Sequence, residues 1–161
     1  MIRSEAPGIS EAIIGAALTA WAEADHVSEL PVQGTSMCPL LRPGDRVSVS
    51  HRTAGYRIGE LLVYRTGSRL VIHRLRRADA AGTLLMGGDC LPPSLDALVP
   101  RCSVLGRVVA VRTPTGGFSL ISQRARLLNW LLAVAHPLRG HSWSRRLAAA
   151  LRALVTWALR R

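Results

Sequence analysis

Between Leu30 and Ile121 the chain runs in short apolar stretches, each cut off by Gly, Pro or Asp. They are Val47-Ser48-Val49, Leu61-Leu62-Val63-Tyr64, Leu70-Val71-Ile72, Thr83-Leu84-Leu85-Met86, Val104 to Val111, and Phe118 to Ile121. Stretches of this length and β-branched content suit strands bounded by turns better than helices. Their spacing predicts a mainly-β domain built of small antiparallel sheets or a partly open barrel. Gly67-Ser68, between two of them, reads as a hairpin turn. Pro43-Gly44-Asp45 reads as a turn because Pro presets φ and Gly tolerates φ > 0; Asp45 is assigned to that turn and not to chemistry.

The flanks have a different period. From about Ile9 to Ala24, residues Ile13, Ile14, Ala17, Leu18 and Trp21 recur at helical spacing, which predicts an amphipathic helix docked on the core. The chain thus divides into an N-terminal helix (1–29), a β domain (30–122) and a basic helical tail (123–161). In the tail, Leu127, Leu128, Trp130, Leu131, Leu132 and Val134 precede Pro137 and Gly140, and a second helix is expected from Ser144 to Arg160. Arg124, Arg126, Arg139, Arg145, Arg146, Arg152, Arg160 and Arg161 decorate it. Two readings stand side by side: a helical pair packed on the β domain, or an interfacial helix making peripheral contact with a membrane. The 161 residues carry a net charge of +11, which attracts polyanions. No helix-turn-helix, zinc finger or aromatic stacking motif points to nucleic acid.

All twenty-one basic residues are arginine, so no lysine amine is available as a general base. The stretch Gly34-Thr35-Ser36-Met37-Cys38-Pro39 sets one serine on a glycine-preceded bend, where its hydroxyl can stay clear of strand partners. An activator for Ser36 must then be a histidine or a carboxylate. His26 precedes the β region, His51 reads as a loop residue, and His136 and His141 belong to the tail. His73 ends Leu70-Val71-Ile72 and is expected on a strand, where the pleat would orient its ring. Taken alone, His73 reads as a structural histidine and Cys38 as a small packing residue. Cys38, Cys90 and Cys102 have no metal-ligand spacing with the histidines, so no metal or other cofactor is called for. Their odd number fits a reducing compartment.

Gly34-Thr35-Ser36-Met37-Cys38-Pro39-Leu40, continued by Gly44-Asp45, resembles the nucleophile box of the S24/S26 serine peptidase superfamily of signal peptidases and LexA-type self-cleaving repressors. Gly59-Glu60-Leu61-Leu62-Val63-Tyr64 is similar to the strand box that follows it. Val71-Ile72-His73-Arg74-Leu75 resembles the base box of the archaeal and endoplasmic-reticulum-type signal peptidases, which carry histidine in place of lysine. Gly87-Gly88-Asp89 and Leu105-Gly106-Arg107-Val108-Val109 resemble the later boxes. The resemblance covers about Val32 to Val111. It implies a signal-peptidase/LexA-like β-fold and a serine endopeptidase that cleaves a precursor or leader peptide. Ser36 would be the nucleophile and His73 the base. Asp96 would orient the imidazole, with Asp89 as the alternative acid. Backbone N–H groups of the loop Gly34, Thr35 and Met37 would help to hold the oxyanion. Where many signal peptidases have a serine two residues before the nucleophile, this chain has Gly34, which leaves the second oxyanion donor unassigned.

The chain departs from the resemblance at its start. Met1 to Pro7 lacks the features of a signal peptide, and no apolar run reaches the ~18 residues of a spanning helix. A cytoplasmic or peripherally membrane-associated processing peptidase is therefore expected. Only ~35 residues precede Ser36, short for a DNA-binding domain. The rival reading is a non-catalytic peptide- or membrane-binding module that retains the fold.

Overall fold

The computed structural model describes residues 20, 26–52, 55–135, 150, 153–155 and 157–158. The protein is mainly β. Its strands are β1 (Val27–Pro31), β2 (Arg46–Ser50), β3 (Leu61–Thr66), β4 (Arg69–Ala78), β5 (Thr83–Gly87), β6 (Ala97–Pro100), β7 (Val104–Thr113) and β8 (Gly116–Ser119), followed by helix α1 (Gln123–Ala135). All eight belong to one sheet in the order β1-β2-β7-β3-β4-β5-β6, with β8 on β7. Every pairing is antiparallel.

The six apolar stretches became β2, β3, β4, β5, β7 and β8, and Gly67-Ser68 turns the hairpin between Thr66 and Arg69. Instead of several small sheets there is one, because β7 is long enough to join two halves. It takes β2 along residues 107–112 on one edge, and β3 and then β8 on the other. β1 and β6 were not foreseen. Each is only four or five residues long and holds a proline, and each lies at an end of the sheet with a single partner among the described strands.

Strand β3 explains the two-layered core. Leu61 and Val63 join one cluster with Met37, Leu40, Leu41, Val47, Val49, Val108 and Val111. Leu62 and Tyr64 join another with Leu75, Leu84, Met86, Val99 and Val104. Because successive strand residues face opposite sides, a strand covered on both faces reads as an unbroken apolar run. Each buried Leu or Val contributes roughly 1.5–3 kcal/mol relative to exposure.

Helix α1 is part of this core. Ala125 and Leu132 pack into the first cluster, as does Val155 from the helical residues near the C-terminus. Arg74 Nη1 donates to Asn129 Oδ1 at 2.7 Å, and Arg76 Nη1 to the Leu132 carbonyl at 3.1 Å. The tail thus contributes packed helix, as one of its two readings required. The expected N-terminal helix lies outside the described residues except for Ala20. Arg139, Arg145, Arg146, Arg152, Arg160 and Arg161 also lie outside them, and with them most of the membrane-surface reading of the tail. Among the described residues no helix is long and apolar enough to cross a membrane.

Candidate active site

The loop that carries Ser36 is clamped at its base. Val32 N–H donates to the Asp45 carbonyl at 2.9 Å, and Gly44 N–H to the Val32 carbonyl at 3.1 Å. Inside the loop, Cys38 N–H reaches the Thr35 carbonyl and Leu41 N–H the Met37 carbonyl, both at 3.0 Å. Met37, Leu40 and Leu41 sink their side chains into the first core. Asp45 does the turn work expected of it, accepting Arg42 N–H on Oδ2 at 2.9 Å. Cys38 is half-buried and directs its thiol to the Leu41 carbonyl at 3.4 Å.

Anchoring on both sides leaves Ser36 between them with its hydroxyl uncommitted. Among the described residues no hydrogen bond engages Ser36 Oγ, and no main-chain carbonyl takes the N–H of Ser36 or Met37. The Ser36 carbonyl is fixed instead, by Cys90 N–H at 2.8 Å. Gly88 makes that approach possible, since a Cβ there would stand 2.8 Å from the same carbonyl oxygen.

His73 lies on β4 as expected, with its side chain buried. Its Nδ1 is paired with the Tyr64 hydroxyl at 3.1 Å. The β3–β4 register accounts for this. Tyr64 pairs with Val71 and Leu62 with His73, so Tyr64 and His73 are diagonal neighbours on one face, within reach of a long aromatic side chain. Burial pushes the His73 pKa below its ordinary value, and the Arg76 guanidinium pushes it the same way, with Asp89 opposing. The ring is therefore neutral at pH 7. Burial raises the Tyr64 phenol, which stays protonated.

The two candidate acids are elsewhere. Asp89 is buried, and its Oδ1 accepts Arg74 Nε at 2.8 Å and Arg76 Nη2 at 3.0 Å, while Oδ2 takes Arg74 Nη2. Burial works to raise its pKa, but the two guanidiniums outweigh burial and hold the carboxyl below its usual range. Arg76 is itself drawn down by burial to about 10, and remains a cation at neutral pH. Asp96 follows the 3-10 turn Pro93–Leu95 and lies over Gly87, where a Cβ would come within 2.1 Å of Oδ1. Its charge acts on Arg76. Neither carboxylate hydrogen-bonds to the imidazole: among the described residues the ring's partner is Tyr64. The assignment of Asp96, or of Asp89, as the orienting acid is thus not met in this geometry. Asp89 is occupied by two arginines, and the Nδ1 side is filled by a phenol.

Ser36 and β4 meet along a cleft of about 680 Å3, walled by Leu30, Val32, Gly34 and Met37 on one side and Arg69 to Ile72 on the other. His73 follows Ile72 directly. Ser36 Oγ and the imidazole share no hydrogen bond. Both walls include strand edges without a partner among the described strands. β1 pairs only with β2, and Arg69 to His73 of β4 pair only with β3, because β5 joins β4 from Arg74 onward.

A second serine–histidine pair was not foreseen. Ser28 Oγ lies 2.9 Å from His51 Nε2, and His51 Nδ1 lies 2.8 Å from the Leu105 carbonyl. A carbonyl only accepts, so Nδ1 carries a proton. His51, read from sequence as a loop residue, is buried beneath this contact. Neither residue lines the Ser36 cleft, and the pair ties the edge strand β1 to β7. Tyr64, Arg74, Arg76 and Asn129 were likewise not singled out from sequence. The long-range register that unites them is not encoded in any local motif. No known protein-family model matches the chain, and no curated protein is matched by it.

Proposed function

We propose that the protein is a serine endopeptidase of the signal-peptidase type that acts on an extended precursor or leader peptide. The observation that carries this reading is the cleft. It has an unengaged serine hydroxyl in one wall, a strand bearing a buried neutral histidine in the other, and along both walls strand edges that no described strand pairs with. An extended peptide can add main-chain hydrogen bonds to such edges, with alternate side chains against apolar walls. Ser36 Oγ attacks the scissile carbonyl carbon, and His73 takes the serine proton and delivers it to the leaving amine. Water then hydrolyses the acyl-enzyme by the same route. The uncommitted N–H groups of Ser36 and Met37 are available to the oxyanion, a contribution worth about 3 kcal/mol per donor. The ordered boxes from Val32 to Val111 support the same assignment.

The test is peptide cleavage read by mass spectrometry, with a library of extended peptides and the wild type set against Ser36→Ala and His73→Ala. Both variants should lose at least ~100-fold in rate. Undiminished cleavage by either one sinks the assignment.

The missing Ser36–His73 hydrogen bond favours a second reading, a peptide-binding module without catalysis. Catalytic contacts are often loose before substrate binds, so the two readings part on turnover. A module would retain intact peptide, with unchanged affinity in Ser36→Ala.

A further inference from the structure

We propose that Arg69 selects the substrate by charge: the cleft takes an extended peptide with an acidic side chain four residues from the one that lies beside His73. The inference rests on the peptidase reading for the place of the scissile bond, and deepens it by naming the class of peptide.

Among the described residues that line the cleft, Arg69 is the sole charged one, and Leu30, Val32, Met37, Leu70 and Ile72 give the walls their apolar character. Its guanidinium has no ion pair or hydrogen bond among the described residues. The described carboxylates are all engaged elsewhere. Glu29 is held by Arg46 and Arg112, Glu60 by Arg107, and Asp89 by Arg74 and Arg76. Asp45 and Asp79 accept the N–H groups of Arg42 and Thr83, and Asp96 lies over Gly87 with its charge acting on Arg76. An exposed cation that no described acid neutralises, set in an otherwise uncharged cleft, is complementary to an anion on the peptide that enters.

Strand geometry says where that anion must stand. From Arg69 to His73 the outer edge of β4 carries no described strand, because β5 begins opposite Arg74. A peptide laid along this edge pairs with it residue for residue, so the residue opposite Arg69 is four places, or about 13 Å, from the one opposite His73. Successive side chains face opposite sides, which puts Arg69, Val71 and His73 on one face and Leu70 and Ile72 on the other. The packing agrees: Ile72 lies against the cluster of Leu61 and Val63, and Val71 against that of Leu62 and Tyr64. An acid at the fourth residue therefore meets the Arg69 guanidinium, and an acid one place to either side is turned to the apolar face. The net charge of +11 would act differently, favouring an acid wherever it stands in the peptide.

The test uses the full chain and rhodamine-labelled extended peptides rich in Val, Thr and Ala. One glutamate, or one glutamine as its neutral control, is walked through every position. Binding is read by fluorescence anisotropy on Ser36→Ala, and cleavage by mass spectrometry on the chain with Ser36 intact. Glutamate at one position should tighten binding about fivefold over glutamine, the size expected of a partly solvated ion pair. In cleaved peptides that position should be the third to fifth residue from the scissile bond. Placed in the Ser36→Ala chain, Arg69→Gln should abolish the gain. Arg69→Glu should turn it into a loss, and lysine at the same peptide position should then bind better than glutamine. Added salt should shrink the gain. A gain equal at all positions, or one that survives Arg69→Gln, overturns the proposal.

The two readouts separate this proposal from the peptidase reading. Cleavage with no preferred glutamate position removes the proposal and leaves the peptidase standing. An Arg69-dependent preference in binding with no cleavage does the reverse, and the preference then belongs to a binding module. Peptides that are neither bound nor cleaved overturn both.

Discussion

Asp89 stands between two buried cations and is the carboxylate that hydrogen-bonds to both. Arg74 is fully enclosed and Arg76 nearly so, and a guanidinium taken out of water without a counter-charge is strongly unfavourable. Asp89→Asn removes the negative charge and leaves both arginines in place. Such a change should cost about 3–5 kcal/mol, as expected when one partner of a buried ion pair is lost, and urea unfolding would measure it. Asp96→Asn should leave the Tyr64–His73 contact unchanged. Gly34 is the opposite kind of position. A Cβ there meets nothing within 4 Å, so Gly34→Ser fits without strain and offers a hydroxyl beside the nucleophile. If the new hydroxyl reaches the oxyanion, kcat should rise about tenfold, a modest share of what a well-aimed donor supplies. An unchanged kcat would mean that it points away from the reacting carbonyl.

At the scale of elements, β4 is the organising strand. Its first half lines the cleft, His73 turns toward Tyr64, and Arg74 and Arg76 reach for α1 and Asp89. How much of this was legible in sequence depended on the range of each interaction. Gly67-Ser68 announced its hairpin because a two-residue turn is a local decision, and the position of His73 at the end of the apolar run Leu70-Val71-Ile72 was enough to place it on a strand. The Tyr64–His73 diagonal could not be read, since it depends on the register between two strands. The pairing of Asp89 with arginines was hidden for a similar reason, because Arg74 and Asp89 are fifteen residues apart. Asn129 shows the same coupling at the helix. It is buried in α1 and accepts Arg74 Nη1, which also donates to the Gly59 carbonyl at 2.8 Å. Asn129→Leu should therefore cost about 1–3 kcal/mol, the penalty for under-satisfying a buried polar group, read as a lower urea midpoint. The other face of α1 exposes Leu127, Trp130 and Val134 beside Arg124 and Arg126, an arrangement suited to an anionic bilayer surface. If α1 makes that contact, Trp130→Ala should weaken binding to anionic vesicles, and binding in wild type should fall with added salt. Vesicle binding that ignores both would leave α1 as core helix only.

For the molecule as a whole, the buried titratable groups act together against acid. His73 is held neutral by burial and by Arg76, so its folded pKa lies below the ordinary 6.5. As pH falls through 6.5 the unfolded chain takes up a proton that the folded ring refuses, and stability declines until the folded pKa is passed. Asp89 acts lower on the scale. Its folded pKa lies below the ordinary 3.8, so its contribution is intact above that value and is lost as pH falls through the folded one. Repulsion reinforces both effects, because the chain already carries +11 at neutrality and gains further positive charge as carboxylates protonate. Stability measured by urea unfolding should be level from about pH 7 up toward the ordinary tyrosine value, and on acidification should fall in a first phase that begins near the ordinary histidine value. His73→Gln should remove much of that phase and leave the later carboxylate phase in place. If cleavage depends on the neutral ring, activity should persist below pH 6.5 and fall only as His73 itself protonates, so the activity limb should lie at lower pH than the onset of the stability loss. Coincidence of the two would mean that the group titrating in the rate is not the buried histidine.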